Sequence, residues 1–315
     1  MLYPISCLMS AQIFDVIAVG AGIAGLSAGM YCGRFNLKTL VIGEMPGGVI
    51  TTTHLVENYP GIISITGMDM ADVFMKHAQK FGAEIKYSRV GDIEKFEEGG
   101  KQFFHVRAAG EEFTAGVVII ATGTQHKQLG VKGEKEFSGK GVSYCALCDA
   151  AFFKGKTVCL VGGGDSSAIE ALILAEQCKK VYMIVRKDVL RAEPINHKKV
   201  MESKNIEVKF LTEIAEIKGD GKVESVVFKS GEEMPMDGVF VAVGHVPVSV
   251  LAGKLGVELD PSGQIKINRN CETNVPGIYA AGDVTDTRFK QAITGAAEAV
   301  TASYSAYRYL QQMKK

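Results

Sequence analysis

The sequence predicts an α/β protein of two doubly wound domains, with the second domain inserted into the first. Its 315 residues exceed what a single hydrophobic core usually serves, and 47% of them are hydrophobic. A short apolar stretch, a glycine-rich turn and a helix-favouring stretch follow one another twice, at residues 14–31 and 156–174. Two such strand–turn–helix units predict two sheets of parallel strands that are covered by helices.

Short apolar strands that end in small residues set the predicted domain boundaries. Two of them, at residues 117–123 and 239–245, lie on either side of the second strand–turn–helix unit. A domain inserted between them would leave the other domain in two pieces. We therefore expect one domain formed by residues 1–122 and 246–315, and an inserted domain at residues 123–245.

Two further patterns complete the predicted secondary structure. Residues 87–118 alternate apolar and polar side chains, which predicts antiparallel strands with turns at 98–100 and 109–111, and residues 206–233 repeat this pattern. The alanine-rich residues 291–313 predict a helix.

Composition and charge argue against several classes of protein. Lysine plus arginine and aspartate plus glutamate number 35 each, so no basic surface for nucleic acid is expected. Residues 16–33 are uncharged, but glycines interrupt them, which predicts a strand, a turn and a helix rather than a membrane span. The first ten residues, MLYPISCLMS, lack the basic segment of a signal peptide. Seven cysteines with a single close pair are not typical of a secreted disulfide framework, so we expect a cytoplasmic protein.

The first glycine loop has the spacing of a dinucleotide-binding site. Gly20, Gly22 and Gly25 follow a predicted strand and open a predicted helix. The first glycine permits a tight turn, the second a close approach to a pyrophosphate, and the third close packing of helix on strand. Glu44 follows the next strand, where an acidic residue would bind ribose hydroxyls. The loop therefore predicts a Rossmann-like domain with a bound dinucleotide; the alternative is a purely structural glycine turn.

The second glycine loop, with Gly162, Gly164 and Ser167, predicts a second Rossmann-like domain. The position that would carry an acid for NAD instead carries Arg186 and Lys187, and Arg191 follows four residues further on. Cations there suit a 2′-phosphate and favour NADP, whereas the alternative is a solvated basic turn. Two dinucleotides on one chain indicate electron transfer from a nicotinamide to a flavin, which can pass electrons to a disulfide.

The stretch YCALCDA contains the cysteine pair Cys145 and Cys148. Zinc would need four ligands, and no second pair of cysteine or histidine ligands is present in the sequence. A permanent disulfide is not expected in a reducing compartment, so a redox pair is favoured. The spacing suits the first turn of a helix, which would lower the pKa of a thiol. Asp149 could hold a proton and deliver it to a departing thiolate, or it could cap a helix.

Over residues 14–310 the chain resembles the low-molecular-weight thioredoxin reductases. The matching segments, with x at positions outside the match, are GAGIAG (20–25), GGxITTTHLVENYPG (47–61), IIATG (119–123), CALCD (145–149), GGGDSSxIEA (162–171), RKxxxR (186–191), VAVGHxP (241–247) and AAGDVxD (280–286) with KQA (290–292). A cysteine pair just before the second glycine loop is specific to this family, because glutathione reductase and its relatives carry theirs after the first.

The resemblance implies an enzyme that reduces the disulfide of thioredoxin, with FAD in the split domain, NADPH in the inserted domain, and a homodimer. The residues it assigns to FAD are Gly20, Gly22, Ile23, Ala24, Gly25, Glu44, Gly48, Thr53, Asn58, Thr122, Gly123, Gly282, Asp283, Lys290, Gln291 and Ala292. Those it assigns to NADPH are Gly162, Gly163, Gly164, Asp165, Ser166, Ser167, Glu170, Arg186, Lys187, Arg191 and Gly244. The resemblance also implies that Cys148 faces the flavin, Cys145 exchanges with the substrate disulfide, and Asp149 is the acid.

The sequence departs from the family pattern in three places. Val49 replaces a glutamine that would contact the flavin. The segment 42–46, which contains the proposed ribose-binding residue Glu44, is one residue shorter than in the family. Arg186 and Lys187 follow a valine, where the family has His-Arg-Arg, so acceptance of NADH is an alternative.

Three other functions remain open. One is the same chemistry with a peroxiredoxin- or glutaredoxin-like partner. Another is a flavoprotein of the ferredoxin-NADP reductase kind, against which the cysteine pair argues. The third is a flavin- or zinc-binding redox sensor without turnover.

Overall fold

The computed structural model describes residues 12–53 and 55–313. Within them the chain forms two compact units. The split unit contains the described residues up to Gln125 and from Val246 onward, and the continuous unit is His126–His245. The stretch in which no signal peptide is expected lies outside the described residues, as does Cys7.

The strands are numbered along the chain. They are β1 (Gln12–Val19), β2 (Thr39–Ile42), β3 (Glu84–Lys86), β4 (Val90–Glu98), β5 (Lys101–Ala108), β6 (Glu111–Ile120), β7 (Thr124–His126), β8 (Val142–Ser143), β9 (Thr157–Val161), β10 (Lys180–Val185), β11 (Ile206–Phe210), β12 (Ile214–Lys218), β13 (Ser225–Phe228), β14 (Glu233–Pro235), β15 (Gly238–Val241), β16 (His245–Pro247) and β17 (Ile278–Ala280).

The helices are numbered in the same way. They are α1 (Ile23–Arg34), α2 (Gly67–Lys80), α3 (Ala146–Asp149), α4 (Asp165–Gln177), α5 (Pro194–Glu202), α6 (Val250–Lys254) and α7 (Ala292–Met313), with short 3₁₀ helices at Gly48–Thr52 and Ala150–Phe153.

One sheet organises the split unit, with the strand order β3-β2-β1-β6-β5-β4 and β17 also paired with β6. Strand β1 is parallel to β2 and to β6, and β17 is parallel to β6. Strands β4, β5 and β6 are antiparallel, with the two predicted turns between them. The long β6 therefore belongs to both parts of the sheet, and the parallel strands end together at the first glycine loop.

Both faces of the parallel strands are buried, which explains why β1 reads as a nearly continuous apolar run. Alternate residues go to opposite faces: Val16 and Ala18 pack with α1 and α7, whereas Ile17 and Val19 pack against the antiparallel strands. The carboxyl-terminal helix α7, predicted from its alanines, closes the first of these cores through Ala299, among others.

The continuous unit has a parallel sheet of five strands in the order β11-β10-β9-β15-β8. Helices α3, α4 and α5 pack against one face of this sheet, and the core between them includes the strand residues Leu160 and Phe240. The antiparallel strands β12, β13 and β14 cover the other face, where Cys159 and Val239 are buried. The cysteine pair and the second glycine loop both lie in this unit.

The expectation of antiparallel strands throughout residues 206–233 is wrong for its first part. Strand β11 (Ile206–Phe210) pairs in parallel with β10 at the edge of the five-stranded sheet, and antiparallel pairing begins at β12. An edge strand has one neighbour and a half-exposed face, so its alternation of side chains resembles that of an antiparallel ribbon.

The uncharged residues 16–33 form the end of β1, the glycine turn and most of α1. In the described part of the chain no helix is both long and apolar enough to cross a membrane.

Close backbone packing at the first glycine loop joins β1, α1 and β6. Gly20 has φ +119°, and a Cβ on it would lie 2.0 Å from the Ala121 carbonyl oxygen. A Cβ on Gly25 would lie 1.8 Å from the Gly20 carbonyl oxygen, whereas on Gly22 it would meet nothing closer than 3.7 Å. The first and third glycines are therefore required by the fold itself, and the second is not.

This difference predicts that Gly25→Ala destabilises the apoprotein by about 1–3 kcal/mol, because backbone atoms must move to admit the methyl group. Gly22→Ala is the matched control and should change the free energy of unfolding by less than about 1 kcal/mol. Urea unfolding of both apoproteins, followed by circular dichroism, measures the difference. Equal stability of the two variants would contradict the packing argument.

Candidate active site

The cysteine pair lies at the amino-terminal end of α3. Cys145 and Cys148 form a disulfide, and their Cα atoms are 5.4 Å apart. Cys145 is the N-cap residue, and the Cys148 backbone N–H donates to its sulfur at 3.2 Å. Cys148 is exposed and Cys145 is half-buried. On reduction, the helix N-terminus and this N–H would stabilise negative charge on the Cys145 sulfur.

The remaining described cysteines are unsuited to redox chemistry. All four, Cys32, Cys159, Cys178 and Cys271, are buried and unpaired. Burial raises the pKa of Cys32, Cys159 and Cys271 to about 12 and that of Cys178 to about 11. A thiol that does not ionise is a poor nucleophile. No group of three or more His, Cys, Asp or Glu residues in the described chain could hold a metal ion.

Asp149 is held by a serine that the sequence reasoning missed. The Ser143 hydroxyl donates to an Asp149 carboxylate oxygen at 2.6 Å and accepts from the Cys145 backbone N–H at 3.1 Å. Asp149 makes no side-chain cap bond to the following 3₁₀ helix, so the helix-capping alternative finds no support. The hydroxyl thus links the carboxylate directly to the backbone of Cys145. A small polar residue at the end of β8 was the only sequence signal.

A buried carboxylate fixes the segment before the cysteines. Glu134 is 1% exposed and accepts from the backbone N–H groups of Leu129 and Gly130 at 2.8 and 2.6 Å. The Tyr144 hydroxyl donates to it at 2.9 Å. Burial and this carboxylate raise the pKa of Tyr144 to about 12, so the phenol stays protonated as a donor. Tyr144 directly precedes Cys145, so the bond restrains the entrance to α3.

The first glycine loop has the features of a pyrophosphate cradle. Gly22 is the N-cap of α1, no side chain caps the helix, and no acidic residue lies in its first turn. The first-turn N–H groups, which include those of Ile23, Ala24 and Gly25, are therefore free to bind an anion. The backbone of Gly48, which has φ +68°, packs against Gly22, because a Cβ on Gly48 would lie 2.8 Å from the Gly22 Cα. These residues fit the FAD pyrophosphate that the resemblance implies.

Residues from distant parts of the sequence meet in the split unit. The Asn58 side-chain amide donates to the Gln291 side-chain oxygen at 2.9 Å, across 233 residues. The resemblance assigned both residues to the flavin, and the structure brings them into contact. Ala292 is the first residue of α7, directly after Gln291.

Asp283 is a half-buried carboxyl for which the described residues provide no hydrogen-bond donor. Burial raises its pKa, and Lys290 opposes this effect. The Lys290 ammonium donates to the Thr285 carbonyl, and burial lowers its pKa. An unpartnered carboxyl beside a cation fits the binding of a ligand hydroxyl, such as those of the FAD ribityl chain.

Glu298 on α7 is a second residue that the sequence reasoning missed. Its carboxylate accepts from the Gly282 backbone N–H at 2.7 Å and from the hydroxyl groups of Thr285 and Thr287. These bonds hold the loop that presents Asp283. No motif marked Glu298, because it lies in an otherwise ordinary alanine-rich helix.

Other residues assigned to FAD are engaged in the fold or exposed. The Thr122 hydroxyl donates to the Val248 carbonyl at 2.6 Å, and the Gly123 carbonyl accepts from the Val248 N–H at 3.0 Å. The Thr53 carbonyl accepts from Gly67. Glu44 follows β2 and is exposed, as is Val49 at the position where the family has glutamine.

The second glycine loop opens α4 in the same way. Gly164 is the N-cap, and open space surrounds the position of a Cβ there. Ser167 donates to the Ala242 carbonyl at 2.9 Å, which joins α4 to the end of β15. Gly163 lies against Val185, where a Cβ would be 2.8 Å from a valine methyl carbon, and Gly244 has φ +102°. The loop leaves the α4 N-terminus accessible, as a bound phosphate requires.

Asp165 connects the second glycine loop to residues 193–196, which follow the three cations in the sequence. Its carboxylate accepts from the Glu193 backbone N–H at 2.8 Å and from the Asn196 side chain at 2.9 Å. The Arg191 backbone N–H donates to the Gly163 carbonyl at 2.8 Å. The acid in the first turn of α4 is therefore directed at the protein.

The predicted cation cluster lies beside the second loop. Arg186, Lys187 and Arg191 are exposed, as is Ser166, and none of the three cations forms an ion pair with a described residue. Unpaired cations next to a free helix N-terminus fit the 2′-phosphate and pyrophosphate of NADPH.

Glu170, also assigned to NADPH, lies on α4, and its Oε2 atom is buried and has no hydrogen-bond partner in the described chain. Burial raises the pKa of Glu170 to about 7.

Comparison with known proteins supports the same assignment. Residues 14–299 match the family model described as pyridine nucleotide-disulphide oxidoreductase. A thioredoxin reductase of Listeria monocytogenes is 41% identical over 311 residues, which is 96% of each chain.

Solved structures agree as well. Lactococcus lactis thioredoxin reductase in its FR conformation matches with a TM-score of 0.90 and 36% identity over 95% of this chain and 99% of that one. The T. acidophilum enzyme matches with a TM-score of 0.88 and 38% identity over 94% and 98%. These likenesses confirm the predicted α/β fold with two Rossmann-like domains. The chain belongs to the pyridine nucleotide-disulphide oxidoreductases and, within them, to the low-molecular-weight thioredoxin reductases.

Proposed function

We propose that this enzyme reduces the disulfide of thioredoxin, or of a thioredoxin-like small protein, with electrons that pass from NADPH through FAD to the cysteine pair. The observation that carries the proposal is the Cys145–Cys148 disulfide on the end of a helix, in a chain whose other described cysteines are buried. We place FAD in residues 1–122 and 246–315, and NADPH in residues 123–245. The family to which the chain belongs uses these two cofactors.

Bound NADPH supplies a hydride, and bound FAD supplies a carrier that gives two electrons to a disulfide. The chain's own residues bind and orient these groups. The N-terminus of α1 and the Gly48 backbone hold the FAD pyrophosphate, and Asp283 accepts from ribityl hydroxyls. The N-terminus of α4 and the cations near it hold NADPH.

The cysteines exchange a bond with the partner. Two electrons open the Cys145–Cys148 bond, and α3 stabilises the Cys145 thiolate, which attacks one sulfur of the partner disulfide. This step gives a mixed disulfide and a partner thiolate, to which Asp149 delivers a proton. The Cys148 thiolate then attacks Cys145, which re-forms the disulfide and releases the second partner sulfur. Ser143 holds the Asp149 carboxylate in place through these steps.

Substitution of the nucleophile tests the exchange. Cys145→Ser should lower NADPH-dependent reduction of thioredoxin by at least about a hundredfold, because a hydroxyl does not replace the thiolate. Reduction of ferricyanide, which takes electrons from the flavin, should persist and serves as the control. Wild-type turnover of thioredoxin by Cys145→Ser would contradict the proposal, and faster turnover with a peroxiredoxin- or glutaredoxin-like protein would identify a different partner.

The cation cluster tests the choice of nicotinamide. Arg191→Ala should raise the KM for NADPH by about tenfold to a hundredfold, since a charge-assisted bond to the 2′-phosphate is lost, and leave the KM for NADH unchanged. Lys222→Ala, which removes another exposed cation of the same unit, is the control. Steady-state kinetics with both nucleotides measure this ratio. An equal effect on NADH, or a wild-type preference for NADH, would contradict the assignment.

We also propose that the enzyme is a cytoplasmic homodimer, as the family resemblance implies. Exposed apolar side chains on α2, Met68 and Val73, and Tyr304 on α7 support this proposal. Light scattering coupled to size exclusion should return twice the mass of one chain at assay concentrations. A monomer under those conditions would contradict it.

A further inference from the structure

Ser143 joins the sheet of the continuous unit to the segment that carries the cysteine pair. It is the last residue of β8, pairs with Phe240 of β15 and is only 6% exposed. Its hydroxyl group therefore starts from a strand whose position the sheet fixes. A buried hydroxyl normally has hydrogen-bond partners. In the described chain all the side-chain hydrogen bonds of Ser143 go to Cys145 and Asp149.

The hydroxyl group has one proton and two acceptors within reach. The Asp149 Oδ2 atom is 2.6 Å from the Ser143 Oγ atom, and the Cys145 carbonyl oxygen is 3.3 Å from it. The first distance is typical of a hydroxyl that donates to a charged carboxylate, whereas the second is longer than an O–H donor usually makes. The proton therefore points to Asp149. The lone pairs of Oγ remain available to the Cys145 backbone N–H at 3.1 Å.

This bond makes the two carboxyl oxygens of Asp149 unequal. Ser143 holds Oδ2, whereas Oδ1 has no hydrogen-bond partner among the residues that the structure describes. A protonated carboxyl group keeps one acceptor oxygen, so Ser143 can donate to Oδ2 whether Asp149 is charged or neutral. Oδ1 is then the atom on which Asp149 can gain and lose a proton, and Ser143 does not have to rearrange when it does so.

We propose that Ser143 is a positioning residue for proton transfer by Asp149: it fixes Oδ2 and leaves Oδ1 to carry the proton. This role rests on the proposed redox function of the cysteine pair. The Cys145 thiolate attacks one sulfur of a disulfide RSSR, the RS–SR bond breaks, and RS⁻ leaves. Asp149 passes the Oδ1 proton to RS⁻, which becomes RSH. One negative charge thus moves from Cys145 to Asp149, which regains its proton from solvent.

The role predicts that the leaving thiol decides how much Ser143 matters. Nitrothiobenzoate is the anion of an acidic thiol, so it leaves without a proton. Mercaptoethanol is a much weaker acid, and its departure benefits from the proton of Asp149. Loss of Ser143 should therefore slow release of the second thiol more than release of the first. A mere distortion of the segment would impair the attack by Cys145 on both disulfides alike.

The test compares two small disulfides, dithiobis(nitrobenzoate) and hydroxyethyl disulfide, near neutral pH. The flavin-loaded enzyme carries Cys148→Ser in every variant, so the reaction stops at the mixed disulfide on Cys145. Acid quenching and mass spectrometry of the Cys145 peptide give the two rates. Ser143→Ala should lower the rate with hydroxyethyl disulfide, relative to the rate with dithiobis(nitrobenzoate), by about tenfold, because a charge-assisted bond that orients the acid is lost.

Ser225→Ala is the matched control. The Ser225 hydroxyl donates to a Glu233 carboxylate oxygen at 2.6 Å, which is the distance of the bond between Ser143 and Asp149. Ser225 lies on β13, in the antiparallel sheet on the other face of the five-stranded sheet. Its replacement therefore removes the same kind of bond away from the cysteines and should leave the ratio of the two rates unchanged.

Asp149→Asn supplies a second measurement. This variant should show the same fall in the ratio, and Ser143→Ala should add nothing to it, because two residues that act through one proton do not contribute independently. An unchanged ratio in Ser143→Ala would overturn the proposal, and so would a further fall in the variant that carries both substitutions. Thioredoxin takes no part in these reactions, so failure here is distinct from failure of thioredoxin turnover, which tests the proposed function.

Discussion

The free N–H groups at helix N-termini are the constraint around which this molecule is built. The N-cap residues of helices α1 and α4 are glycines, which have no side chain that could cap the helix. The N-cap residue of α3 is a cysteine, and its sulfur accepts a hydrogen bond from the helix backbone. Unsatisfied donors at a helix end attract an anion. Two of the three ends suit phosphates, and the third suits a thiolate. The same physical feature therefore occurs at both glycine loops and at the cysteine pair.

The demands of these helix ends explain the polar residues around them. Asp165 would repel a phosphate at α4, but its carboxylate is occupied by Glu193 and Asn196 and so orders the basic segment instead. At α3, Ser143 takes up Asp149, and Glu134 holds Tyr144. The Oε2 atom of Glu170 has no hydrogen-bond partner among the described residues.

Local patterns predicted much of the fold, and their one error is instructive. The glycine loops, the antiparallel strands between residues 87 and 118 and the terminal helix all follow from periodicity and turn residues, which act over a few positions. Strand β11 was mistaken for part of an antiparallel ribbon, because exposure of one face, not the direction of pairing, determines its alternation. Pairing direction depends on which strand lies alongside, and a short sequence window does not contain that information.

By itself the sequence determined the residue types that chemistry requires: glycines where backbones touch, a close cysteine pair, and cations after the second loop. These requirements are local, so spacing along the chain records them. Only the tertiary structure decided which polar groups meet. Asn58 meets Gln291 and Glu298 holds Gly282, each across a sequence gap that no motif spans. The reason is physical: a buried polar atom takes as its partner whichever donor the packing of the core brings within about 3 Å, and that packing is a property of the whole fold.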